Sequence, residues 1–217
     1  MTGTGPDQAL ETALASLFPP GTGVAALAID APHPPPFPAE EPAIAKAVAS
    51  RRAEFTAGRA AARRALAALG LPATPIPRGP DRQPIWPTGI AGSIAHAAGR
   101  AIAVARSGAP LGVDIEQDAP IDPDLWPVIC TPDELAALPL AGRGTYVRHV
   151  FSAKEAIYKA QFPITGALIG FDAVDLRLTT EGFVARFRQP LSVFRAGHRI
   201  EGRRLVTAGV ILAGVSL

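Results

Sequence analysis

The spacing of apolar and polar positions divides the chain into helical and strand-like segments. Apolar residues recur every three to four positions in some stretches, which is the period of an amphipathic helix, and alternate in others, which is typical of strands. The alanine-rich helical stretch ends where Gly70 and Pro72 interrupt it. Helices are therefore predicted over 7–18, 40–69 and 147–160, and the run Thr131-Pro132-Asp133-Glu134 has the capping pattern that begins another.

Strand-like segments occur in both halves of the chain. The predicted strands are 23–30, 92–97, 101–107 and 111–116, followed by strands within FDAVDLRLT, GFVARFRQ and RRLVTAGVIL near the C-terminus. The proline-rich segment 31–38 is interpreted as a stiff, exposed connector, and 71–90 as a loop. Because helices and strands are balanced in both halves, we predict an α+β fold of two similar lobes, 1–108 and 109–217.

The composition is that of an ordinary globular protein. Its 217 residues are 48% hydrophobic and 18% charged, and the net charge of +2 is too small to predict nucleic-acid binding by itself. The single cysteine, Cys130, excludes an internal disulfide and is interpreted as inert. The chain begins without a basic, apolar leader and has no apolar run of the roughly 18 residues that a membrane helix needs, so we expect a cytoplasmic protein.

Two acidic residues lie two positions apart in the strand-like run GVDIE. Alternate side chains of a strand share a face, so Asp114 and Glu116 are predicted side by side, opposite the apolar Val113 and Ile115. Paired carboxylates suit a hard cation such as Mg²⁺, which takes oxygen ligands. The alternative is a pair of solvated acids on an edge strand.

A third acid occurs in the helical run FSAKEAIYKA. Glu155 falls on one side of the predicted helix with Phe151, Tyr158 and Phe162, so its charge needs a partner. That partner is either a metal ion or Lys159, one turn further along the helix. The flanking Lys154 and Lys159 could also contact phosphate oxygens.

Basic residues are concentrated in two regions of the first half. Arg52, Arg59 and Arg63 share one helix face, with Arg51 and Arg64 at its borders, and Arg78 and Arg82 lie in the following loop. Either set could bind phosphate, or could be no more than solvated surface charge. His96, shortly after Ser93, could contribute to a site or have a structural role.

Taken in order, these motifs resemble a known family. GVDIE followed by FSAKEAIYKA is similar to the paired signature of the 4′-phosphopantetheinyl transferases, in the longer branch typified by enterobactin synthase component D. The segments 51–70, 82–99 and 159–174 also resemble that branch. The likeness covers about 50–175 and is weak at the N-terminus and over the C-terminal strands.

The resemblance implies a pseudo-dimer of two α+β lobes with coenzyme A bound between them. It also implies Mg²⁺-dependent transfer of phosphopantetheine to a serine of an apo carrier protein, with release of 3′,5′-ADP. The metal ligands would be Asp114, Glu116 and Glu155. Lys154 and Lys159 would steady the diphosphate, with Lys154 nearest the reacting phosphoryl group. The remaining contacts would be Arg51, Arg59 and Arg78 to the nucleotide phosphates, and Ser93 and His96 around the 3′-phosphate.

The chemistry expected of these residues is phosphoryl transfer, in which charge neutralisation and alignment matter most. Asp114, Glu155 and Lys154 are the predicted catalytic residues, and Glu155 is the predicted acceptor of the serine proton. Mn²⁺ in place of Mg²⁺ stays open. In the 78–84 loop, Asp81 stands where some relatives have a basic residue, which makes the loop contacts less certain than the acids.

The expected partners are coenzyme A and apo carrier domains of peptide synthetases, including siderophore synthetases, or of polyketide synthases. No nucleic acid or membrane partner is expected, and we expect a monomer. Two other functions are compatible with parts of the pattern. One is a Mg²⁺-dependent nuclease that pairs an acid with a later E-x-K on a strand, and the other is a carrier-binding module with a decayed site.

Overall fold

The computed structural model describes residues 6–217, which divide into two compact units. The first unit ends at Ala109 and the second spans Pro110–Leu217. Each unit contains helices and one antiparallel sheet, so the predicted α+β class is confirmed. Residues 1–5, on which part of the prediction of no leader rests, lie outside the described residues.

The first unit packs a long helix on a three-stranded sheet. Its elements are α1 (Pro6–Ala15), β1 (Gly23–Ala28), α2 (Ala49–Ala68), β2 (Ile90–Ala97) and β3 (Arg100–Ser107), with strand order β1-β3-β2. Small side chains dominate the contact between helix and sheet, where Ala61 and Ala65 of α2 meet Ala25 and Ala103 of the strands. Such small residues allow the helix backbone to approach the sheet closely.

The second unit packs an even longer helix on a five-stranded sheet. Its elements are β4 (Leu111–Gln117), α3 (Trp126–Ile129), α4 (Pro132–Ala137), α5 (Arg143–Thr165), β5 (Val174–Leu178), β6 (Gly182–Phe187), β7 (Arg199–Thr207) and β8 (Val210–Ser216), in the order β4-β8-β7-β6-β5. Its core is built from one face of α5 and the inner sheet face, with Val150 and Ile157 packed among Leu176 and Phe183. No helix in residues 6–217 is long and apolar enough to cross a membrane.

The predicted helix over 40–69 is wrong in its first third. Glu41–Ile44 form one 3₁₀ turn, and α2 begins at Ala49 after the extended Val48. The break has a physical cause, because the buried Glu40 accepts a hydrogen bond from Arg63 of α2. Glu40 can reach that arginine only if its segment folds back beside the helix instead of extending it.

Glycines in the left-handed conformation mark the ends of α5 and the turn between β7 and β8, which the sequence pattern did not locate. Helix α5 extends beyond the predicted 147–160 in both directions, between Gly142 (φ 70°) and Gly166 (φ 64°). The C-terminal run RRLVTAGVIL divides into β7 and β8 at Ala208 (φ 48°) and Gly209 (φ 75°). Such φ values favour glycine and mark a tight turn between the strands.

In each unit, a glycine brings an edge strand of the sheet against the long helix. A Cβ at Gly112 of β4 would lie 2.0 Å from the carbonyl oxygen of Ala156 in α5. In the first unit, a Cβ at Gly23 of β1 would lie 2.1 Å from the carbonyl oxygen of Ala65 in α2. Because only glycine permits this approach, side chains that follow Gly112 along β4 reach the surface of α5.

Candidate active site

Asp114 is the centre of a charged cluster between β4 and α5. It is only 4% exposed, although β4 lies at the edge of its sheet. Lys159 Nζ donates to Asp114 Oδ1 at 2.6 Å. The other carboxylate oxygen, Oδ2, is buried and has no hydrogen-bond partner among the described residues. A solvated edge-strand acid is therefore the wrong interpretation for Asp114.

Glu116 and Glu155 share Asp114 as an electrostatic neighbour. Burial is the main cause that raises the pKa of Glu116, and Asp114 raises it further while Arg148 opposes the shift. Burial also raises the pKa of Glu155, with Lys159 opposing and Asp114 adding to the shift. The structure therefore brings the three predicted acids into one electrostatic cluster, with Lys159 inside it.

The side chains of this cluster are turned toward cations of the protein. Arg148 Nη1 donates to Glu116 Oε2 at 3.0 Å, and Lys159 holds Asp114. Across residues 6–217, no three histidine, cysteine or acidic side chains converge as a metal centre. The donor chemistry nevertheless fits a hard cation, because a buried carboxylate oxygen without a partner is costly and a cation would satisfy it.

An apolar pocket opens beside Glu155. Its volume is about 260 Å³, and its walls include Tyr158 of α5 and the loop residues Leu168, Ile169 and Phe171. The Tyr158 ring lies 5.8 Å from that of Phe162. The predicted position of Glu155 on a largely apolar helix side is confirmed, and this environment explains why burial raises its pKa.

Lys154 is placed differently from Lys159. It is 4% exposed, and its ammonium donates to Glu134 Oε2 at 2.7 Å and to the carbonyl oxygens of Ile129 and Phe171. An ammonium group has three donors, so all of them are used within the protein. These contacts do not support the expected direct contact of Lys154 with a reacting phosphoryl group.

An arginine cluster occupies the first unit. Arg59 is buried, donates from Nε to the carbonyl oxygen of Ile76 at 2.6 Å, and lies over the Phe55 ring at 4.3 Å. Burial lowers its pKa to about 10, with Glu40 opposing, and the nearby cations Arg51, Arg63 and Arg78 lower it further. Arg51 and Arg78, the two other arginines predicted to bind phosphate, therefore lie within electrostatic reach of Arg59.

His96 belongs to this cluster, whereas the Ser93 side chain is directed elsewhere. Arg51 Nη1 donates to His96 Nε2 at 2.8 Å and lies 3.2 Å from Glu54. Strand alternation in β2 places Ser93, 3% exposed, on the opposite face from His96. The geometry does not support a phosphate shared by these two side chains.

The loop that carries Arg78 and Arg82 forms a small hairpin. Gly79 N–H donates to the carbonyl oxygen of Gln83 at 2.8 Å, and Arg78 bridges to Pro84. Arg78, Asp81 and Arg82 are exposed along it. The hairpin fixes the position of Arg78, which is the residue of the loop that contributes to the electrostatics of Arg59.

Two residues of the site were not predicted from sequence. Arg148 lies two turns before Glu155 on α5, and it pairs with Glu116 without any motif to indicate it. Glu134 was predicted only as a helix cap, and the capping box with Thr131 is confirmed. Its second partner, Lys154, is distant in sequence, and local capping patterns contain no signal for such a contact.

Clustered carboxylates beside a lysine, and clustered arginines, are residues that phosphoryl-transfer enzymes use. A family model described as the 4′-phosphopantetheinyl transferase N-terminal domain matches residues 39–106, and one described as the 4′-phosphopantetheinyl transferase superfamily matches residues 110–207. The chain is 37% identical to 4′-phosphopantetheinyl transferase Svp of Streptomyces mobaraensis over 203 residues, which is 87% of this chain and 82% of that protein.

Other relatives agree. Identity to 4′-phosphopantetheinyl transferase PptT of Mycobacterium tuberculosis is 36% over 202 residues, 84% of this chain and 88% of that protein. Enterobactin synthase component D of Salmonella typhi is 42% identical over 135 residues, 58% of this chain and 54% of that protein. The chain belongs to the 4′-phosphopantetheinyl transferase family, as the sequence motifs predicted, and is an enzyme of that family.

Family membership removes one alternative. The nuclease hypothesis requires its second acid and lysine on a strand, but Glu155 and Lys159 lie within the helix α5. Coenzyme A is the substrate of the family.

Proposed function

We propose that this enzyme transfers the 4′-phosphopantetheine group of coenzyme A to a serine of an apo carrier domain and releases 3′,5′-ADP. The observation that carries the proposal is the acid cluster Asp114–Glu116–Glu155 with Lys159 inside it. The unpartnered Oδ2 of Asp114 gives that cluster unused capacity to bind a ligand. Family membership supports the reaction class.

Asp114, Glu116 and Glu155 would hold a Mg²⁺ ion, for which Mn²⁺ could substitute. When bound, such a cation neutralises diphosphate charge and polarises the phosphorus under attack. Lys159 would share the phosphate charge, because it is already adjacent to Asp114. Burial, and to a smaller extent the charge of Asp114, raises the pKa of Glu116 and of Glu155, and a bound cation would offset both effects, which supports this assignment.

Arg51, Arg59, Arg78 and His96 would bind the nucleotide phosphates. Burial lowers the pKa of Arg59 and its neighbours Arg51 and Arg78 lower it further, so a bound anion would provide a favourable counter-charge there. Planar guanidinium groups also match phosphate oxygens with paired donors. Ser93 remains a predicted contact of the 3′-phosphate, although its side chain lies on the opposite strand face from His96.

Glu155 would accept the serine proton. The serine oxygen forms a bond to the phosphorus that carries pantetheine, the bond from that phosphorus to the bridging diphosphate oxygen breaks, and 3′,5′-ADP leaves with the bond's electron pair. A carboxylate in an apolar pocket is a stronger base than a solvated one, which suits Glu155 to this step.

Carrier domains of peptide synthetases, siderophore synthetases among them, and of polyketide synthases are the proposed clients. Similarity to enterobactin synthase component D supports a peptide-synthetase client. We further propose that the enzyme acts as a monomer.

The test is incubation of the protein with coenzyme A, Mg²⁺ and apo carrier domains of each kind, followed by intact-mass measurement of the carrier. A gain of one phosphopantetheine, matched by release of 3′,5′-ADP, is expected. Carrier binding without any mass change would instead support the binding-module alternative. Omission of the metal, and replacement of Mg²⁺ by Mn²⁺, determines the ion requirement in the same assay.

A further inference from the structure

Glu134 is a buried carboxylate whose oxygens are both occupied. It is 3% exposed, and its Oε1 accepts the Leu176 N–H of β5 at 2.7 Å. Its Oε2 accepts the Thr131 N–H at 2.7 Å as part of the capping box, and the Lys154 ammonium at 2.7 Å. One side chain therefore joins the start of α4 to β5 and to α5.

Lys154 extends these connections to two further segments. Its ammonium donates to the carbonyl oxygen of Ile129, at the end of α3, at 2.9 Å. It also donates at 2.8 Å to the carbonyl oxygen of Phe171, in the loop before β5. A buried lysine with every donor engaged by the protein is held in place at considerable desolvation cost, so moving it toward a ligand would be unfavourable.

The loop that Lys154 anchors forms a wall of the pocket beside Glu155. Leu168, Ile169 and Phe171 line that pocket, and Lys154 is the neighbour of Glu155 in the chain. The hydrogen bond to the Phe171 carbonyl therefore fixes the distance between the loop and the helix turn that carries Glu155. A change in that bond would alter the shape of the pocket without touching a phosphate-binding side chain.

The first unit contains the same construction. Glu40, fully buried, accepts the Phe37 N–H and the Ile76 N–H, both at 2.8 Å, and pairs with Arg63 at 3.0 Å. Arg63 stands two residues before Ala65, whose carbonyl oxygen lies against Gly23 of the edge strand β1. Lys154 stands two residues before Ala156, which has the same role in α5.

This correspondence bears on the role of Lys154. In the first unit the helical cation at this position, Arg63, has the buried acid Glu40 as its partner, and the residue after it is Arg64 where the second unit has Glu155. The cation is therefore part of how each unit joins its long helix to the surrounding segments. In the second unit the same pair adjoins Glu155.

We propose that Glu134 and Lys154 are positioning residues for the transfer reaction: their buried ion pair fixes the 168–171 loop against α5 beside Glu155, and Lys154 does not contact a phosphate. The inference rests on the proposed function and revises one expected role within it. It predicts that Lys154 acts only through Glu134 and the Phe171 loop.

A double-mutant cycle tests this dependence. The variants are Glu134→Gln, Lys154→Gln and the double change. Each single change leaves the partner's charge buried and unpaired, whereas the double change removes both charges. Thermal melting checks folding, transfer assays give kcat and KM for coenzyme A, and calorimetry gives the affinity for 3′,5′-ADP. Backbone hydrogen exchange over 166–176 reports the loop independently of activity. Lys159→Gln is the control for a lysine proposed to contact phosphate.

The expected result is a kcat about 10- to 100-fold lower in each single variant, with the double variant no worse than the poorer single one. The KM for coenzyme A and the affinity for 3′,5′-ADP should stay near wild type, while exchange in the loop accelerates. If Lys154→Gln alone unfolds, the double variant should restore folding, because no lone buried carboxylate then remains.

The inference is overturned if Glu134→Gln retains normal kcat and loop exchange while Lys154→Gln loses activity. It is also overturned if the Lys154 variant loses nucleotide affinity as the Lys159 variant does. Wild-type enzyme is measured in parallel. Lack of transfer by the wild type would refute the proposed function. Even then, faster hydrogen exchange over 166–176 in both single variants, with no further increase in the double variant, would still show that Glu134 and Lys154 together hold the 168–171 loop.

Discussion

The two units join a strand to the long helix in the same way and differ in the side chains that follow the shared glycines. In each, a glycine of an edge strand lies against an alanine carbonyl of the long helix, Gly23 with Ala65 and Gly112 with Ala156. In each, the helix cation two residues earlier pairs with a buried glutamate. Each sheet also has a tight hairpin turn of Ala-Gly with positive φ, at 98–99 and 208–209.

The differences begin two residues after those glycines. Ala25 and Leu27 of β1 stand at the positions that Asp114 and Glu116 take in β4. Arg64 of α2 stands where α5 has Glu155, and pairs with Glu11 at 3.5 Å. The packing of strand against helix is thus compatible with either set of side chains. On the proposed function, the acids that distinguish the second unit stand at positions where the first unit has Ala25, Leu27 and Arg64.

The largest difference between the units is expected when the residues at corresponding helix positions, Glu155 and Arg64, are each changed to glutamine. Glu155→Gln should lower transfer by at least about 100-fold, because it removes the proposed base and a metal ligand while keeping side-chain size. Arg64→Gln, at the corresponding position of the first unit, is the matched control and should transfer at nearly the wild-type rate. Intact-mass assays of the carrier measure both. Near-normal transfer by Glu155→Gln would remove that residue from both roles.

Alanine at the two close glycines should destabilise both units but affect catalysis differently. Each added Cβ meets a helix carbonyl, and we expect a loss of about 1–3 kcal/mol in each case. Gly112→Ala should also lower kcat, because it displaces α5 from Asp114. Gly23→Ala displaces α2 and its arginines, so it should change the KM for coenzyme A instead. Chemical denaturation and steady-state kinetics distinguish these outcomes, and an equal loss of kcat in both variants would contradict the comparison.

A single exposed arginine should have a moderate effect. Arg51 has a half-exposed side chain, so Arg51→Ala should leave the melting temperature unchanged while it raises the KM for coenzyme A about tenfold. The control is Arg52→Ala, since the neighbouring Arg52 donates to the Ile44 carbonyl and is not assigned to the site. A lowered kcat with unchanged KM in the Arg51 variant would argue against a role in binding.

The smallest effect concerns stability and pH. The folded protein holds the proton of Glu155 more tightly than the unfolded chain, because burial raises its pKa above the ordinary 4.5. Its ionisation therefore reduces stability as pH rises from about that value through the raised pKa. Glu155→Gln should melt about 2–4 °C above wild type at neutral pH, with the gain vanishing in acid. Melting curves across pH measure this, and a lower melting temperature at neutral pH would contradict it.

The sequence was sufficient for the fold class, for most elements and for the proximity of the three acids, whose roles stay a prediction. Those depend on local periodicity and on a motif whose members fall on one strand and one helix. It was insufficient where a distant side chain decides the outcome. The helix expected from residue 40 begins at Ala49 because Glu40 binds Arg63, and Lys154 is buried because Glu134 and the Phe171 carbonyl engage it. Neither contact leaves a periodic signal.

Glu134 both caps α4 and binds distant residues of α5 and β5, which has a consequence for how the second unit can fold. Its carboxylate closes the local cap of α4, yet it is fully satisfied only after Leu176 and Lys154 have arrived. A chain that stopped before β5 would bury a carboxylate and an ammonium with incomplete partners. Helix α5 and the C-terminal strands should therefore fold as one cooperative block, and fragments cut between 166 and 174 should not hold the acid cluster together.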